Sequence, residues 1–374
     1  MYQGAKFEIL TTADRPLWAQ ALDEIGRHDF CHLASYSALA EQAGHGQARL
    51  FVYREREHTM AFPILLREIP QQDVFAGERW NDVTSVYGYA GPIANHPAIS
   101  EAISRRFMEL VHEYFLENRV VSAFSRMHPL LEQASILDGF GEVAPVGWTL
   151  SVDLKQPEED QLSAYRRNHR QDIKHLQAMG VECEEAGTGS LDVFVSMYYE
   201  NMDRVGASRD YYFSRSYFEH FFADMEGVAH LFVCRHEGRP IAGGIFTLCR
   251  GIVQWYLSGS TADFDGPPPT KLMFDVARRW AIAQEAEVIH LGGGVGGARD
   301  SLFNFKRGFT SREHIYAVWR QIVNEAVYWE LARHVAGEAA LLPSDGYFPL
   351  YRSPAFQAAG DSKVDAAHVA GDRQ

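Results

Sequence analysis

The chain has 374 residues and a formal net charge of −14, with 46% hydrophobic and 22% charged residues. This apolar content supports a folded core and excludes a wholly disordered chain, and the length predicts two domains. The acidic balance argues against broad, unspecific attraction to nucleic acid, although it leaves room for a local basic patch.

Targeting and metal-binding patterns give no signal. The sequence has no run of about 18 apolar residues, and no basic segment leads into an apolar one at its beginning. The cysteines are scattered without paired metal spacing, so we expect reduced, structural thiols at Cys31, Cys183, Cys234 and Cys249. We therefore expect a soluble, cytoplasmic protein with no membrane span and no metal site.

The first half opens with two strand-like runs, residues 48–53 and 59–66, separated by a charged turn. A third strand-like run covers residues 83–89. After the turn at Gly91-Pro92, apolar residues at helical spacing predict a helix over 99–116, and residues 120–124 return to a strand pattern.

A boundary is predicted near residues 150–159, where the strand 148–154 gives way to an acidic helix start. The densest basic stretch follows, with its cations at helical spacing while Ile173 and Leu176 can pack inward. This pattern is typical of a solvated helix face, and it also suits a surface that faces phosphate. The cations concerned are Arg166, Arg170 and Lys174.

The second half repeats the order of the first. A hairpin pattern covers residues 229–235 and 240–248, and a third strand is predicted over 252–260. An amphipathic helix is predicted over 272–283, and a further strand begins at Val288. The order of hairpin, strand, helix and strand predicts two similar domains, residues 1–154 and 155–334. The remaining segment, 335–374, is predicted to be a partly disordered tail.

The stretch from Val288 to Phe309 combines a short strand, five glycines and a segment that is both aromatic and cationic. Glycines let the backbone bend through positive φ or approach a ligand closely. The aromatic rings and cations that follow would suit an anionic or carbonyl-bearing substrate. The same pattern also fits a tight strand-to-helix connection with a solvated basic end, because glycine-rich loops alone are weak signals.

Other enzyme classes leave little trace in the sequence. The sixteen histidines include no His-Glu-x-x-His spacing, and no nucleophile elbow is found. The glycine run is not followed by the βαβ pattern of a dinucleotide site. Candidates for a general base rest on residue type alone, and they are Asp210, Asp275 and His290.

Several segments, in the same order, resemble the FemABX family of aminoacyl transferases. They span roughly residues 30–320 and comprise 82–92, 238–244, the strand with Trp255 and Tyr256, the helix 269–281, and 291–293 leading to 305–309. The resemblance implies a mixed α/β (α+β) fold of two tandem GNAT-like acyltransferase domains, with a cleft between or beside them. It implies transfer of an amino acid from aminoacyl-tRNA to an amine acceptor, forming an amide without a cofactor. The acceptor would be a peptidoglycan precursor or a peptide natural product.

The resemblance also implies the site. It places Lys306, with Phe305, beside the reacting ester, where a positioned ammonium would stabilise the tetrahedral oxyanion. It places Tyr256 on the strand that faces the acceptor, although a core aromatic fits that position equally well. The expected substrate-binding residues are Arg166, Arg170, Lys174, Tyr87, Tyr89, Gly292, Gly293 and Arg307.

Two alternatives remain open at this point. The first is an acyl-CoA-dependent N-acyltransferase, although residues 260–269 place three prolines and two aspartates where a pyrophosphate loop would be needed. The second is a non-catalytic binding module. The chain also lacks room for the helical arm of some family members, because residues 180–189 form a short connection. The donor amino acid, the acceptor and the oligomeric state are not predicted.

Overall fold

The computed structural model describes residues 4–70, 72–75, 77–96, 99–131, 134–336 and 347–354. A mixed sheet runs through both halves, with strand order β1-β2-β3-β4-β6-β13-β7-β12-β11-β10-β9-β8, and β5 pairs with β3. The first half contains β1 (Ala5–Leu10), α1 (Arg15–Ile25), α2 (Ala34–Gln42), β2 (Gln47–Glu55), β3 (His58–Glu68), β4 (Asn81–Thr84), β5 (Ile93–Ala94), α3 (Glu101–Glu117), β6 (Val120–Arg126) and β7 (Glu142–Asp153).

The second half contains α4 (Glu158–Ser163), α5 (Arg167–Ala178), β8 (Glu182–Ala186), α6 (Leu191–Val205), α7 (Arg215–Asp224), β9 (Ala229–His236), β10 (Arg239–Cys249), β11 (Ile252–Ser260), α8 (Thr270–Ala283), β12 (Val288–Gly293), α9 (Ser301–Lys306), β13 (Glu313–Ile322) and α10 (Glu325–Ala336). The predicted repeat is confirmed, since β2-β3-β4-α3-β6 matches β9-β10-β11-α8-β12 in order. In each copy the helix connects two parallel strands.

The two halves exchange their last strands. β7, from the first half, pairs antiparallel with β12, while β13, from the second half, pairs antiparallel with β6. β7 and β13 then pair with each other at the centre of the sheet. The seam between the halves is therefore a continuous hydrogen-bonded ladder.

The equivalent helices α3 and α8 each cover one face of their own half. Phe107 and Val111 of α3 lie in one apolar core, and Phe274 and Ala277 of α8 lie in another. Both helices follow the 3.6-residue spacing that predicted them. A third core joins helices α1 and α2 of the first half to α6 and α7 of the second, so apolar packing also crosses the seam.

The third strand of the first half is shorter than predicted. β4 ends at Thr84 rather than continuing to residue 89. Gly88 has a φ of +110°, and a Cβ there would lie 2.5 Å from Cys31 Sγ. Residues 85–92 therefore leave the sheet and cross in front of the seam, where Tyr87 and Tyr89 face the second half.

Part of the predicted tail packs against the first half. Tyr351 is fully buried and its hydroxyl contacts Ser122 Oγ at 2.7 Å, while Arg352 pairs with buried Asp82. Residues 337–346 and 355–374 of the predicted tail lie outside the described residues. Within the described ranges no helix is both long enough and apolar enough to cross a membrane.

Candidate functional site

The candidate site lies where β11 and β12 separate. These parallel strands pair only at Ile252–Gln254 with Val288–His290, and they diverge beyond that point. β12 ends there at Gly292 and Gly293, next to Tyr89 from the first half. The opening between the strands therefore exposes glycine backbone to a wall supplied by the other half of the chain.

Lys306 ends helix α9 and points back to the end of β12. Its Nζ donates to the carbonyl oxygen of Gly293 at 2.9 Å. Asp300 starts the helix by accepting from the backbone N–H groups of Phe303 and Val295, and this fixes the loop before it. Burial lowers the pKa of Lys306 to about 8, although the nearby Asp300 charge opposes the shift.

Gly292 leaves a gap between two polar groups. Its φ is +69°, and a Cβ there would lie 3.4 Å from Lys306 Nζ and 3.6 Å from Tyr89 Oη. A side chain would fill the space between the ammonium and the phenol. The glycine thus serves both the positive φ and the close approach that a ligand would need.

The side chains of Phe305 and Lys306 lie in different surroundings. The Phe305 ring packs near Trp255 and Phe309, with centroid separations of 6.2 and 5.7 Å. Its carbonyl oxygen accepts a hydrogen bond from His169 Nε2 at 3.0 Å, and Gly308 leaves the room that the imidazole needs. Phe305 therefore anchors α9 to the core; its predicted place beside the ester remains a prediction.

Tyr256 belongs to a chain of phenols. Tyr36 donates to the carbonyl oxygen of Tyr87 at 2.9 Å, so its oxygen accepts from Tyr256 at 2.9 Å, and Tyr256 in turn accepts from Tyr217 at 2.6 Å. Burial raises the pKa of Tyr256 well above its ordinary value. Its single proton is thus committed to protein, and its catalytic role remains a prediction.

A buried polar relay connects the two halves beneath this site. Gln254 Nε2 donates to Asp29 Oδ2 at 2.6 Å, and His290 Nδ1 donates to Gln254 Oε1 at 2.7 Å. His128 Nδ1 accepts from Leu130 N–H, so its Nε2 carries the proton and donates to Asp29 at 3.0 Å. The amide of Gln254 therefore links a first-half carboxylate to a second-half imidazole.

The protonation states in this relay follow from burial and hydrogen bonding. Burial alone would raise the pKa of Asp29, but hydrogen bonds from His128, Gln254 and the Phe30 N–H outweigh it and lower the pKa. Burial is the main cause that lowers the pKa of His290 well below its ordinary value, and the nearby charge of Lys306 adds to this effect. His290 is thus neutral, and its Nε2 has no hydrogen-bond partner among the described residues.

The predicted cations are only partly brought together. Arg166 donates to the carbonyl oxygen of Asn304 at 3.0 Å, and Arg307 pairs with Glu313 at 3.3 Å, so both lie against α9. Arg170 lines a shallow depression together with Glu158 and Glu159. Lys174, one turn further along α5, is exposed. Only the first two of these cations adjoin the Lys306 helix.

The two predicted tyrosines of the first half face different neighbours. The Tyr89 ring lies 5.0 Å from that of His290 and 5.4 Å from that of Tyr316, beside the Lys306 ammonium. Tyr87 is 41% exposed and packs near Tyr256 at 6.0 Å. The structure thus gathers Lys306, Gly292, Gly293 and Tyr89 at one point, with Tyr87 further along the same segment.

Sequence reasoning missed most of the polar relay. Of the three general-base candidates, His290 lies in it, whereas Asp275 pairs with Arg278 at 3.2 Å, and the Asp210 side chain lies outside the described part of the chain. Neither Asp29 nor Gln254 belongs to a recognisable sequence motif, and the two residues become neighbours only in the folded chain. In the described ranges, no group of three or more His, Cys, Asp or Glu side chains is arranged to hold a metal ion.

Comparison with known proteins agrees with this architecture. Residues 163–307 match a family model described as an acetyltransferase (GNAT) domain. The crystal structure of FemX has a TM-score of 0.69 at 12% identity, covering 87% of this chain and 99% of that one. The C-terminal domain of a protein of Agrobacterium fabrum, provisionally named lysylphosphatidylglycerol synthetase, has a TM-score of 0.51 at 14% identity, covering 88% and 98%. The structure of L-PGS from Bacillus licheniformis has a TM-score of 0.51 at 14% identity, covering 84% of this chain and 94% of that one. No curated protein matches the sequence.

The family model identifies a GNAT domain, the acetyltransferase type of domain, within residues 163–307 of the chain. The chain as a whole has the fold of FemX, and its two halves repeat the same order of elements, which confirms the predicted FemABX-like tandem GNAT fold.

Proposed function

We propose that the chain transfers an amino acid from aminoacyl-tRNA to an amine acceptor and forms an amide bond. The observation that carries this proposal is the position of Lys306. Its half-buried ammonium is anchored to Gly293 and lies beside the bare backbone of Gly292, at the opening between β11 and β12. An ester carbonyl placed against Gly292 would meet this ammonium.

The reaction would be aminolysis of an ester. The acceptor nitrogen forms a bond to the aminoacyl carbonyl carbon, the bond from that carbon to the ribose oxygen breaks, and one proton moves from the nitrogen to the ribose oxygen. Negative charge develops on the carbonyl oxygen in the tetrahedral intermediate. With a pKa of about 8, Lys306 is mostly protonated at neutral pH and can donate to that oxygen. Such a donor contributes about 3–4 kcal/mol to the transition state.

The surroundings suit a tRNA donor and an acceptor that approach from different halves. Arg166 and Arg307 lie against α9, so they can contact donor phosphates close to the ester, with Arg170 and Lys174 further out on α5. The acceptor would enter past Tyr89 and Tyr87 of the first half. The name of one similar structure, lysylphosphatidylglycerol synthetase, refers to an aminoacylated product, which supports aminoacyl transfer here.

We further propose a peptidoglycan precursor or a peptide natural product as the source of the amine. Such a reaction would take place in the cytoplasm, where charged tRNA is available. No cofactor is required, because the ester already carries the activated acyl group.

Acyl-CoA is the competing donor, favoured by the description of the family model as an acetyltransferase domain. CoA pyrophosphate would need free N–H groups and positive charge at the start of α8. That helix instead begins after Pro269, and the connection before it carries Asp263 and Asp265. Proline removes a donor and aspartate repels phosphate, so this end of α8 is poorly suited to CoA.

A donor-choice experiment tests the proposal. Purified protein is incubated with a pool of labelled aminoacyl-tRNAs, and separately with labelled acyl-CoAs, in an extract that supplies acceptors. Label moving from one tRNA species into a small product supports aminoacyl transfer and names the amino acid. Transfer from acyl-CoA alone would contradict it.

A further inference from the structure

Arg126 is a cation at the seam between the two halves, and it has no role in the proposed reaction. It ends β6, is half-buried, and its guanidinium lies 5.2 Å from the Phe124 ring centroid and 3.5 Å from Ser85 Oγ. Among the described residues, no carboxylate lies within ion-pair distance of it. Partly desolvating a cation without a counter-charge is costly, so this position points to an anion from outside the chain.

Three other half-buried arginines of the first half pair with carboxylates, unlike Arg126. Arg54 pairs with Glu8 at 2.5 Å, Arg67 pairs with Asp82 at 2.8 Å, and Arg106 holds Glu55 at 2.6 Å. Their carboxylates belong to the fold. Arg126 has phenols around it instead, and its fork geometry suits bidentate binding of a carboxylate or a phosphate.

A continuous wall connects Arg126 with Lys306. Arg126 lies opposite Val318 of β13 in the antiparallel ladder between β6 and β13. Burial raises the pKa of Tyr316, and the charge of Arg126 and its hydrogen bond to the Tyr316 phenol partly oppose that rise. A Cβ at Gly297 of the glycine loop would lie 3.1 Å from Tyr316 Cδ1, and the Tyr316 ring centroid lies 5.4 Å from that of Tyr89. Tyr89 Oη in turn lies beside Gly292 and Lys306 Nζ.

We propose that Arg126 binds an anionic group of the acceptor, a carboxylate or a phosphate, while the amine of the same molecule reaches the ester beside Lys306. The amine part of this statement rests on the proposed function; the anion site does not. The acceptor is thereby an amine with a negative group further along the molecule, lying on the wall formed by Tyr89 and Tyr316. The donor cations lie on the second half, so Arg126 serves the other substrate.

Direct binding tests the anion site without any turnover. The probes are L-alanine against L-alaninamide for the carboxylate, and O-phosphoethanolamine against ethanolamine for the phosphate, each measured by thermal shift and by NMR titration of the full chain. The probe that carries the carboxylate or phosphate should raise the Tm of the wild type, and its partner that lacks this anionic group should not. The pair that responds tells which anion is preferred.

Variants locate the effect. Arg126→Gln should weaken binding of the anionic probe by about tenfold or more, and Arg126→Lys should weaken it less, because it keeps the charge and loses the fork. Arg119→Gln is the matched control, since Arg119 precedes the same strand and lies over Trp80 at 5.8 Å, at the other end from the seam. Equal binding by Arg126→Gln and the wild type, or no preference for anionic probes, would overturn the proposal.

Turnover separates this proposal from the proposed function. If aminoacyl-tRNA is the donor, Arg126→Gln should raise KM for the anionic acceptor by about tenfold and leave acceptor-independent hydrolysis of the donor unchanged. If no tRNA donor is used, the proposed function fails, and the binding measurements still decide whether Arg126 holds an anion.

Discussion

Lys306 Nζ donates to the carbonyl oxygen of Gly293 at 2.9 Å, which joins the last residue of α9 to the last residue of β12. One of the three ammonium protons is used in this bond, and it sets the direction of the other two. The glycine loop between these two residues is therefore closed by the same group that would stabilise the oxyanion.

The protonation state of Lys306 predicts how the transfer rate depends on pH. Burial lowers its pKa to about 8, so the protonated donor form is lost as pH rises through that value. Arginine at this position stays charged throughout. The ratio of the wild-type single-turnover rate to that of Lys306→Arg should therefore fall with a midpoint near pH 8. Using the ratio cancels the titration of the acceptor amine, and a ratio that rises through pH 8 would instead make Lys306 a base.

Gly292 predicts a separation of activity from stability. Gly292→Ala and Gly296→Ala both place a side chain at positive φ, +69° and +62°, and each should cost about 1 kcal/mol of stability. Only the Cβ at residue 292 would approach Lys306 and Tyr89, since nothing lies within 4 Å of the one at residue 296. Transfer should fall at least about tenfold in the first variant and stay near wild type in the second. Equal rates in the two variants would remove Gly292 from the site.

The buried relay predicts a stability effect across the seam. Asp29 accepts from His128, Gln254 and the Phe30 N–H, and an amide cannot accept all three. Asp29→Asn should lower the free energy of unfolding by about 1–3 kcal/mol in urea titrations. Asp23→Asn, at an exposed site on α1, serves as the control and should change it by less than about 0.5 kcal/mol. An unchanged midpoint in the Asp29 variant would show that the relay adds no stability.

Buried histidines predict loss of stability in acid. Burial lowers the pKa of His169 to about 4, whereas the unfolded chain has the ordinary value near 6.5. Between those values the unfolded state binds more protons, so stability falls as pH drops from 6.5 to 4, by up to about 3 kcal/mol for this residue. His169→Gln should show a flatter pH dependence in urea titrations across this window. An identical slope would assign the effect to other groups, such as His32, whose pKa burial lowers to about 3.

Local periodicity was sufficient to predict the repeated elements. The hairpin, strand, helix and strand of each half follow from apolar spacing within about 20 residues, and α3 and α8 lie close to their predicted bounds. The glycine run also indicated the loop that leads to Lys306. These features depend on neighbours in sequence, which is why a single sequence reveals them.

Features made by distant segments were not predicted. The exchange of β7 and β13 pairs strands that are about 170 residues apart in the sequence. The sequence pattern of each strand does not predict which other strand it pairs with. The link between Asp29 and Gln254 and the wall from Arg126 to Lys306 arise in the same way. β4 stops early because residues 85–92 pack against the loop at Cys31, a tertiary contact that overrides their strand propensity.

The proposed role of Lys306 is tested by single-turnover transfer from aminoacyl-tRNA with the wild type, Lys306→Ala and Lys306→Arg, and donor affinity is measured separately. We predict that Lys306→Ala lowers the transfer rate by about 10²–10³-fold, the range for loss of one oxyanion donor, with donor affinity within about threefold of wild type. Lys306→Arg should retain part of the rate. Transfer at the wild-type rate by the Lys306→Ala variant would show that the ammonium beside Gly292 has no part in the chemistry.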